Sequence, residues 1–240
     1  MPHRPRVPTP PTGDEPDWSD PATIRAVAKL ELAQLLATER YSTDPWAFVS
    51  EYVSTLDQIT GTVRRMPKKA HLEYLTRLWL QEPLLLVPKS RRMIVTWLFC
   101  ALYYWLARYR PHAKIAFLAR KEGRNESEGS AELVWRARFI HEHLPPLLGK
   151  VPVEYHFCRL AFLDNGSEIL GIPDGADQLR QMTLTGVLAD ELGFWDHAYE
   201  TYVSLRPTIE GCGRFTGVSS ANPGFFKALV NDEVSSLGAF

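Results

Sequence analysis

The chain has 240 residues, of which 45% are hydrophobic and 23% charged, so it can bury a core as one large domain or two small ones. Its formal net charge of −1 excludes a protein that coats nucleic acid through overall basic charge, and any polyanion site must be local. The three cysteines lie far apart and form no CxxC or Cys/His pattern, so we expect reduced thiols and no structural zinc.

The first third of the chain is predicted to be helical after a proline-rich start. Residues 1–19 have five prolines in the first eleven positions and no apolar stretch typical of a secretory signal, which predicts a disordered or extended arm. Asp20 followed by Pro21 is a favourable helix start. We expect residues 20–82 to form a helical leader packed on the rest of the chain. Apolar residues at helical spacing predict three helices around a basic loop at 64–69: residues 21–38, 44–57 and about 70–81.

From residue 83 onward, strands alternate with helices. Asn165-Gly166, between two of the predicted strands, is a strong signal for a β-hairpin. The alternation predicts an α/β fold over residues 83–240, with a mostly parallel sheet, helices on both faces and ligands at the carboxyl ends of the strands. Strand-like runs occupy residues 84–87, 114–120, 159–163, 167–172, 186–191 and 214–223. Helices are predicted over residues 95–108, 126–143 and a stretch after 191.

The longest apolar segment, from Met93 to Ala107, has fifteen uncharged residues and arginines on both sides. A membrane-spanning helix needs roughly twenty apolar residues. A shorter helix that is apolar on all faces is more often buried inside a domain, and we predict a buried helix here. Its aromatic residues, together with Tyr74 and Trp79, are expected to pack in the core rather than to stack on bases.

Two adjacent acids, Asp190 and Glu191, end an apolar run. Burying two carboxylates side by side costs several kcal/mol unless something binds them. In P-loop nucleotide hydrolases, the first acid of such a pair holds Mg²⁺ through water and the second polarises the attacking water. The alternative is a helix N-terminus, where acids interact favourably with the helix dipole. The pair by itself does not choose between these interpretations.

A basic segment follows the first predicted strand of the core. A standard phosphate loop has the form GxxxxGK(S/T) between a strand and a helix. Here Thr96 stands where the magnesium-binding hydroxyl should be, but the segment has no glycine and Val95 occupies the usual lysine position. Lys89, Arg91 and Arg92 could supply cations from the other end of the loop. A basic surface turn before a buried helix explains these residues equally well.

The order and spacing of three motifs resemble the ATPase domain of the large terminase subunit of tailed bacteriophages. The motifs are KSRRMIVT at 89–96, LADE at 188–191 and VSSANP at 218–223. That family has a deviant phosphate loop, K/R-S-R-Q/R-x-G-x-S/T, in which the lysine is often displaced to the first position. The segment 44–58 and an arginine eleven residues before Glu191 also resemble the family. The resemblance covers about residues 44–225 and implies a P-loop fold of the RecA-like, additional-strand type.

The resemblance implies that ATP and Mg²⁺ are the cofactors. Lys89 would contact the β/γ-phosphates, and Thr96 and Asp190 would hold Mg²⁺. Glu191 would act on the hydrolytic water, and Arg180 would be a finger that reaches the nucleotide of a neighbouring subunit. The nucleotide-binding segment would comprise Lys89, Ser90, Arg91, Arg92, Met93, Ile94, Val95 and Thr96. The residues that sense the γ-phosphate and couple hydrolysis to movement would be Ser219, Ser220 and Asn222.

The sequence also departs from the family pattern. Ile94 replaces the glycine that the family usually keeps, which affects how closely the backbone can approach phosphate. His71 and Glu73 both lie near the position of the family's adenine-binding glutamine, and the sequence does not choose between them. The acids of the family's nuclease domain are not found after Asn222, so nuclease activity is not expected in this chain.

The function implied by the resemblance is a motor that drives double-stranded viral DNA into a procapsid. Its expected partners are the DNA, the portal protein, the small terminase subunit and further copies of the chain in a ring. In isolation the chain would be a monomer or weak oligomer. The expected location is the host cytoplasm, with no membrane contact. Two alternatives remain: a helicase-like P-loop ATPase and a catalytically inactive P-loop remnant that acts as a binding module.

Overall fold

A seven-stranded sheet organises the chain from residue 84 onward. The computed structural model describes residues 19–57, 59–90, 93–148, 151–175, 179, 181–209, 213–220 and 224–231. The helices are α1 Pro21–Thr43, α2 Pro45–Tyr52, α3 Ala70–Gln81, α4 Val95–Tyr109, α5 Gly129–Glu142, α6 Ala198–Ile209 and α7 Phe225–Val230. The strands are β1 Ser54–Asp57, β2 Thr62–Arg65, β3 Leu84–Pro88, β4 Lys114–Ala119, β5 Val153–His156, β6 Arg159–Phe162, β7 Glu168–Pro173, β8 Gly186–Asp190 and β9 Arg214–Ser219. The predicted arm, residues 1–19, lies outside the described residues except for Ser19.

The strand order of the large sheet is β3-β9-β8-β4-β7-β6-β5. The first five strands in this order are parallel, and β6 and β5 are antiparallel to their neighbours. The carboxyl ends of the five parallel strands therefore share one edge of the sheet. Strand β9 lies between β3 and β8, so one additional strand separates the two strands that carry the predicted nucleotide-binding motifs. The mostly parallel α/β fold predicted from the sequence is confirmed.

Helix α4 is the centre of the core, as its apolar sequence predicts. Twelve of its fifteen residues are buried, and the Tyr103 hydroxyl donates to the Val187 carbonyl of β8 at 2.8 Å. Within the described residues, no helix combines the length and apolar character that a bilayer crossing requires. The leader contacts this helix directly, since the rings of Phe48 and Tyr104 stack at 6.3 Å and Trp105 donates to the Tyr41 carbonyl at 2.6 Å.

Tyr74 does not pack in the core, although the sequence predicts core packing for this group of aromatic residues. Trp79 is buried with its ring edge against Tyr103, but Tyr74 is 61% exposed. The buried residues of α3 are Leu72, Thr76 and Trp79, which recur at helical spacing and define its inner face. Tyr74 is two positions from Leu72 and so lies on the opposite face of the helix. The prediction of core packing is wrong for Tyr74 only.

Residues 44–57 also differ from their prediction as one helix. The helix ends at Tyr52, and residues 54–57 form β1, which pairs with β2 in an antiparallel hairpin. The Asp57 carboxylate accepts from the Ile59 and Thr60 backbone N–H groups at 3.0 and 3.3 Å, and Gly61 follows with a φ of +65°. This turn closes the hairpin locally and takes Arg64 and Arg65 out of the predicted loop.

The far edge of the sheet contains a strand that periodicity did not reveal. Asn165-Gly166 closes the predicted hairpin between β6 and β7, with Gly166 at a φ of +71°. Strand β5 then adds to β6 through a second tight turn in which Cys158 has a φ of +60°. The residues of β5 alternate between half-buried and exposed. They therefore form no apolar run, and the pairing with β6 is what makes this segment a strand.

Candidate functional site

Two side chains that are 94 positions apart in the chain meet at the carboxyl edge of the sheet. The Thr96 hydroxyl, on the first turn of α4, donates to Asp190 Oδ1 at the end of β8 at 3.0 Å. Thr96 is buried and Asp190 is partly buried, so the bond lies in a site with limited access to water. A hydroxyl at the start of a helix, together with a carboxylate at the end of a strand, is a donor set that suits Mg²⁺ beside a bound phosphate.

Burial and the neighbouring charges have opposite effects on the ionisation of Asp190. Burial raises the pKa of Asp190 above its ordinary value, while the positive charges of Arg136 and Lys89 and the hydrogen bond from Thr96 oppose this rise. The structure therefore brings Lys89, at the head of the loop, into the electrostatic environment of the acid. Among the described residues, no cluster of three or more His, Cys, Asp or Glu side chains could hold a metal by itself. Mg²⁺ in this site would depend on water and phosphate oxygens for most of its ligands.

Arg136 is a member of this site that the sequence did not suggest. It lies on α5, pairs with Glu132 one turn before it and places its guanidinium carbon 5.3 Å from the Trp97 ring centroid. Only 13% of its side chain is exposed. The sequence signal that could have indicated Arg136 is its place on α5 between the buried positions Leu133 and Ala137. An arginine at such a place more often lies at the edge of a helix face with its charge in water.

Glu191 lies differently from the buried pair expected from the sequence. It is exposed, and its backbone is left-handed, with φ 55° and ψ 34°. A non-glycine residue in this region costs on the order of 1–2 kcal/mol, and such residues cluster at functional sites. The expectation that both acids are buried is wrong, because the left-handed turn ends β8 and leaves only Asp190 at the core. The next α-helix begins at Ala198, so the two acids do not start an α-helix.

The loop between β3 and α4 contains a left-handed residue, a conformation that glycine favours, although the loop has no glycine. Ile94, the residue at the family's glycine position, has φ 62° and ψ 10°, and its carbonyl accepts the Leu98 N–H at 3.0 Å. The Val95 side chain is 2% exposed and packs in the core from the first turn of α4. Ser90 and Met93 are exposed, whereas Arg91 and Arg92 lie outside the described residues.

Ser219 connects the loop to the turn that carries Glu191. Its backbone carbonyl accepts the Lys89 N–H at 2.8 Å, and its buried Oγ accepts the Gly193 N–H at 2.9 Å. Ser220 is partly buried, and Asn222 lies outside the described residues. Ser219, one of the three residues predicted to couple hydrolysis to movement, is thus hydrogen-bonded to both halves of the site.

The structure separates two candidates for the adenine-side residue. His71 Nε2 lies 3.3 Å from the Met93 carbonyl in the loop, whereas Glu73 pairs with Arg77 on its own helix. The structure therefore brings His71, and not Glu73, to the segment that the sequence predicts to bind nucleotide. Arg180 lies outside the described residues, next to the fully buried Leu179.

Solved structures share this arrangement of strands and helices. The large terminase of bacteriophage HK97 matches over 82% of this chain and 42% of its own, with a TM-score of 0.61 and 14% identity. The large terminase of a thermophilic bacteriophage matches over 71% of this chain and 44% of its own, with a TM-score of 0.55 and 11% identity. A mutant ATPase domain from the Thermus phage P74-26 large terminase matches over 67% and 68%, with a TM-score of 0.53 and 16% identity.

This chain has the fold of a phage large terminase ATPase domain. It spans less than half of the HK97 chain and less than half of the chain from the thermophilic bacteriophage. No family profile matches the sequence, and no curated protein matches it. At 11–16% identity the shared feature is the fold, and the chemistry of the candidate site rests on this chain's own residues.

The strained loop of this terminase fold gives a stability test. Ile94→Gly and Ile94→Ala both lose the packing of the isoleucine side chain, but only glycine adopts the left-handed conformation freely. We expect Ile94→Gly to be more stable than Ile94→Ala by about 1 kcal/mol in urea unfolding. At the neighbouring helical position, Val95→Ala should be more stable than Val95→Gly. If alanine is also the more stable replacement at residue 94, the loop does not hold this left-handed turn.

Proposed function

We propose that this chain is the ATP-hydrolysing motor domain of a DNA-packaging terminase. The observation that carries the proposal is the Thr96–Asp190 bond at the carboxyl edge of a terminase-type sheet. A P-loop nucleotide hydrolase needs a hydroxyl and an acid at this point to hold Mg²⁺ against the phosphates. Bound Mg²⁺ would neutralise the charge that develops on the phosphate oxygens during hydrolysis.

The chain's own residues would divide the remaining work. Lys89 stands at the head of the loop, close enough to influence Asp190, and would reach the β/γ-phosphates. The first turn of α4 presents unpaired backbone N–H groups, which favour an anion. Glu191 is exposed at the edge of the site and would accept a proton from, and orient, the attacking water.

The proposed substrate and partners follow from the same assignment. ATP hydrolysis would drive double-stranded viral DNA through a portal into a procapsid in the host cytoplasm. The chain would act as a ring of copies with the small terminase subunit, because Arg180 would complete the site of a neighbouring copy. In isolation we expect slow hydrolysis.

The loop that lacks glycine favours a second candidate, an inactive P-loop remnant that binds a partner. Ile94 is the reason, since an isoleucine with a left-handed backbone occupies the position of the family's glycine. The left-handed turn at this residue supports the active assignment, because the strain of a branched residue is retained only where the surroundings require that turn.

Nucleotide affinity decides between the two candidates. We expect Lys89→Ala to abolish binding of a non-hydrolysable ATP analogue with Mg²⁺, measured by calorimetry, because the loop loses its first cation. Val95→Ala is the matched control: it should lower stability slightly and leave binding intact, since Val95 is buried. Unchanged affinity in a folded Lys89→Ala protein would reject Lys89 as the phosphate contact and favour the remnant.

A further inference from the structure

The segment that follows Glu191, from a short turn to the first turns of α6, is hydrogen-bonded to the ends of four strands. Toward the nucleotide side, the Trp195 indole N–H donates to the Asp190 carbonyl of β8 at 2.9 Å. The Gly193 N–H donates to Ser219 Oγ of β9 at 2.9 Å. These two bonds hold one side of the turn, which the structure describes as a 3-10 turn over Leu192–Phe194.

The end of this segment that leads into α6 is held by residues that directly follow β4 and β7. Arg120, after β4, forms a bidentate contact with Asp196, with Nε and Nη2 at 3.1 and 2.9 Å from the two carboxylate oxygens. Asp174, after β7, accepts from the His197 N–H at 2.8 Å and from the Thr201 hydroxyl at 2.7 Å. The hydrogen bonds from Arg120 hold the pKa of Asp196 below its ordinary value, so the pair is charged at neutral pH.

Glu191 itself has no such support. Among the described residues, none donates a hydrogen bond to its carboxylate, and its backbone is left-handed. The position of this carboxylate therefore depends on where the turn is held. An exposed ion pair contributes little to stability, but a bidentate arginine–carboxylate contact fixes distance and direction.

We propose that Arg120 and Asp196 are positioning residues that hold the Glu191 turn in its place for hydrolysis. The hydrogen bonds that join Arg120 and Asp196 involve none of the described residues of the predicted nucleotide-binding segment, so the pair would act through the four residues between Glu191 and Asp196. The inference rests on the proposed function, since it assigns the pair to the same ATP hydrolysis. It also ties the turn to β4, a strand on the side of β8 away from the phosphate loop.

Charge reversal tests the pair. Arg120→Asp and Asp196→Arg should each lower kcat about tenfold or more, because small displacements of a catalytic group have large effects on rate. The KM for ATP and the Tm should stay close to those of the wild type, because neither residue binds nucleotide and the pair is exposed. The double variant, which restores the pair in reverse, should recover most of the lost rate.

Two controls make the result specific. Arg77→Ala removes an arginine from another exposed ion pair, with Glu73 on α3, and should leave kcat unchanged. The Trp195 indole N–H resonance, assigned by its loss in Trp195→Phe, should move in both single variants and return in the double variant. Single variants with wild-type kcat, or a double variant without recovery, would overturn the proposal.

The resonance also separates this inference from the proposed function. A wild-type chain that hydrolyses no ATP, alone or associated, contradicts the proposed function. In that case a resonance that moves in the single variants and returns in the double variant still supports the pair as the element that holds the turn. A resonance that stays in place in the single variants overturns that role.

Discussion

Glu191→Gln should lower the rate of ATP hydrolysis at least about a hundredfold, a few kcal/mol of barrier, while nucleotide binding is kept. Glutamine has the same shape but cannot take a proton from water. Because Glu191 is exposed, the substitution should leave the fold intact. Phosphate release and calorimetry with an ATP analogue measure the two quantities. Glu200→Gln, at an exposed acid on α6, is the matched control and should change neither.

Asp190→Asn should differ from Glu191→Gln in two ways. Magnesium-dependent nucleotide binding should weaken, because a water-mediated ligand loses its charge. The Tm without nucleotide should rise at neutral pH. Burial raises the pKa of Asp190 in the folded protein above its value in the unfolded chain. The folded protein therefore loses stability as the pH rises from the unfolded pKa to the folded pKa, because the buried carboxyl ionises over that range. Asparagine removes that loss. Equal, mild effects of both substitutions would mean that the acids only shape the turn.

Arg180→Ala should have the largest effect on rate, and only in associated protein. An arginine finger supplied by a neighbouring subunit is worth roughly 10³–10⁵ in rate in phosphoryl-transfer enzymes. We therefore expect the specific activity of the wild type to rise with protein concentration as copies associate. Arg180→Ala should remove that rise and leave nucleotide affinity nearly unchanged. Phosphate release over a concentration series, with the association state followed by sedimentation, measures both.

A mixture of two inactive variants tests whether Arg180 acts between subunits. Arg180→Ala keeps Glu191, and Glu191→Gln keeps Arg180, so a mixed contact can contain one intact site. Mixing should restore part of the activity. If the mixture stays inactive under conditions in which the wild type associates, Arg180 acts within its own subunit or in the fold.

The predictions that held were those carried by local patterns. The uncharged run at 93–107 required a buried helix, and α4 is that helix. Asn165-Gly166 required a tight turn, and it closes the hairpin between β6 and β7. The apolar runs that became β4, β8 and β9 were visible because a strand buried on both faces needs consecutive apolar residues.

Local patterns failed where pairing or burial outside the segment decided the outcome. Residues 54–57 became a strand because β2 pairs with them, and β5 exists only through its register with β6. The sequence placed Asp190 and Glu191 together at a strand end, but only tertiary structure buries one and exposes the other. The same holds for Tyr74, whose face on α3 depends on which side meets the core.

By itself, therefore, the amino-acid sequence determined the α/β class, the buried helix and the residue types available for phosphate and magnesium. Tertiary structure alone decided the sheet order, which inserts β9 between β3 and β8 and brings Thr96 to Asp190. It also decided the left-handed turn of Ile94, the effect of the Arg136 charge on the pKa of Asp190 and the Arg120–Asp196 pair. The physical reason is that each of these depends on contacts between residues far apart in the chain, and such contacts leave no periodic signal in any one segment.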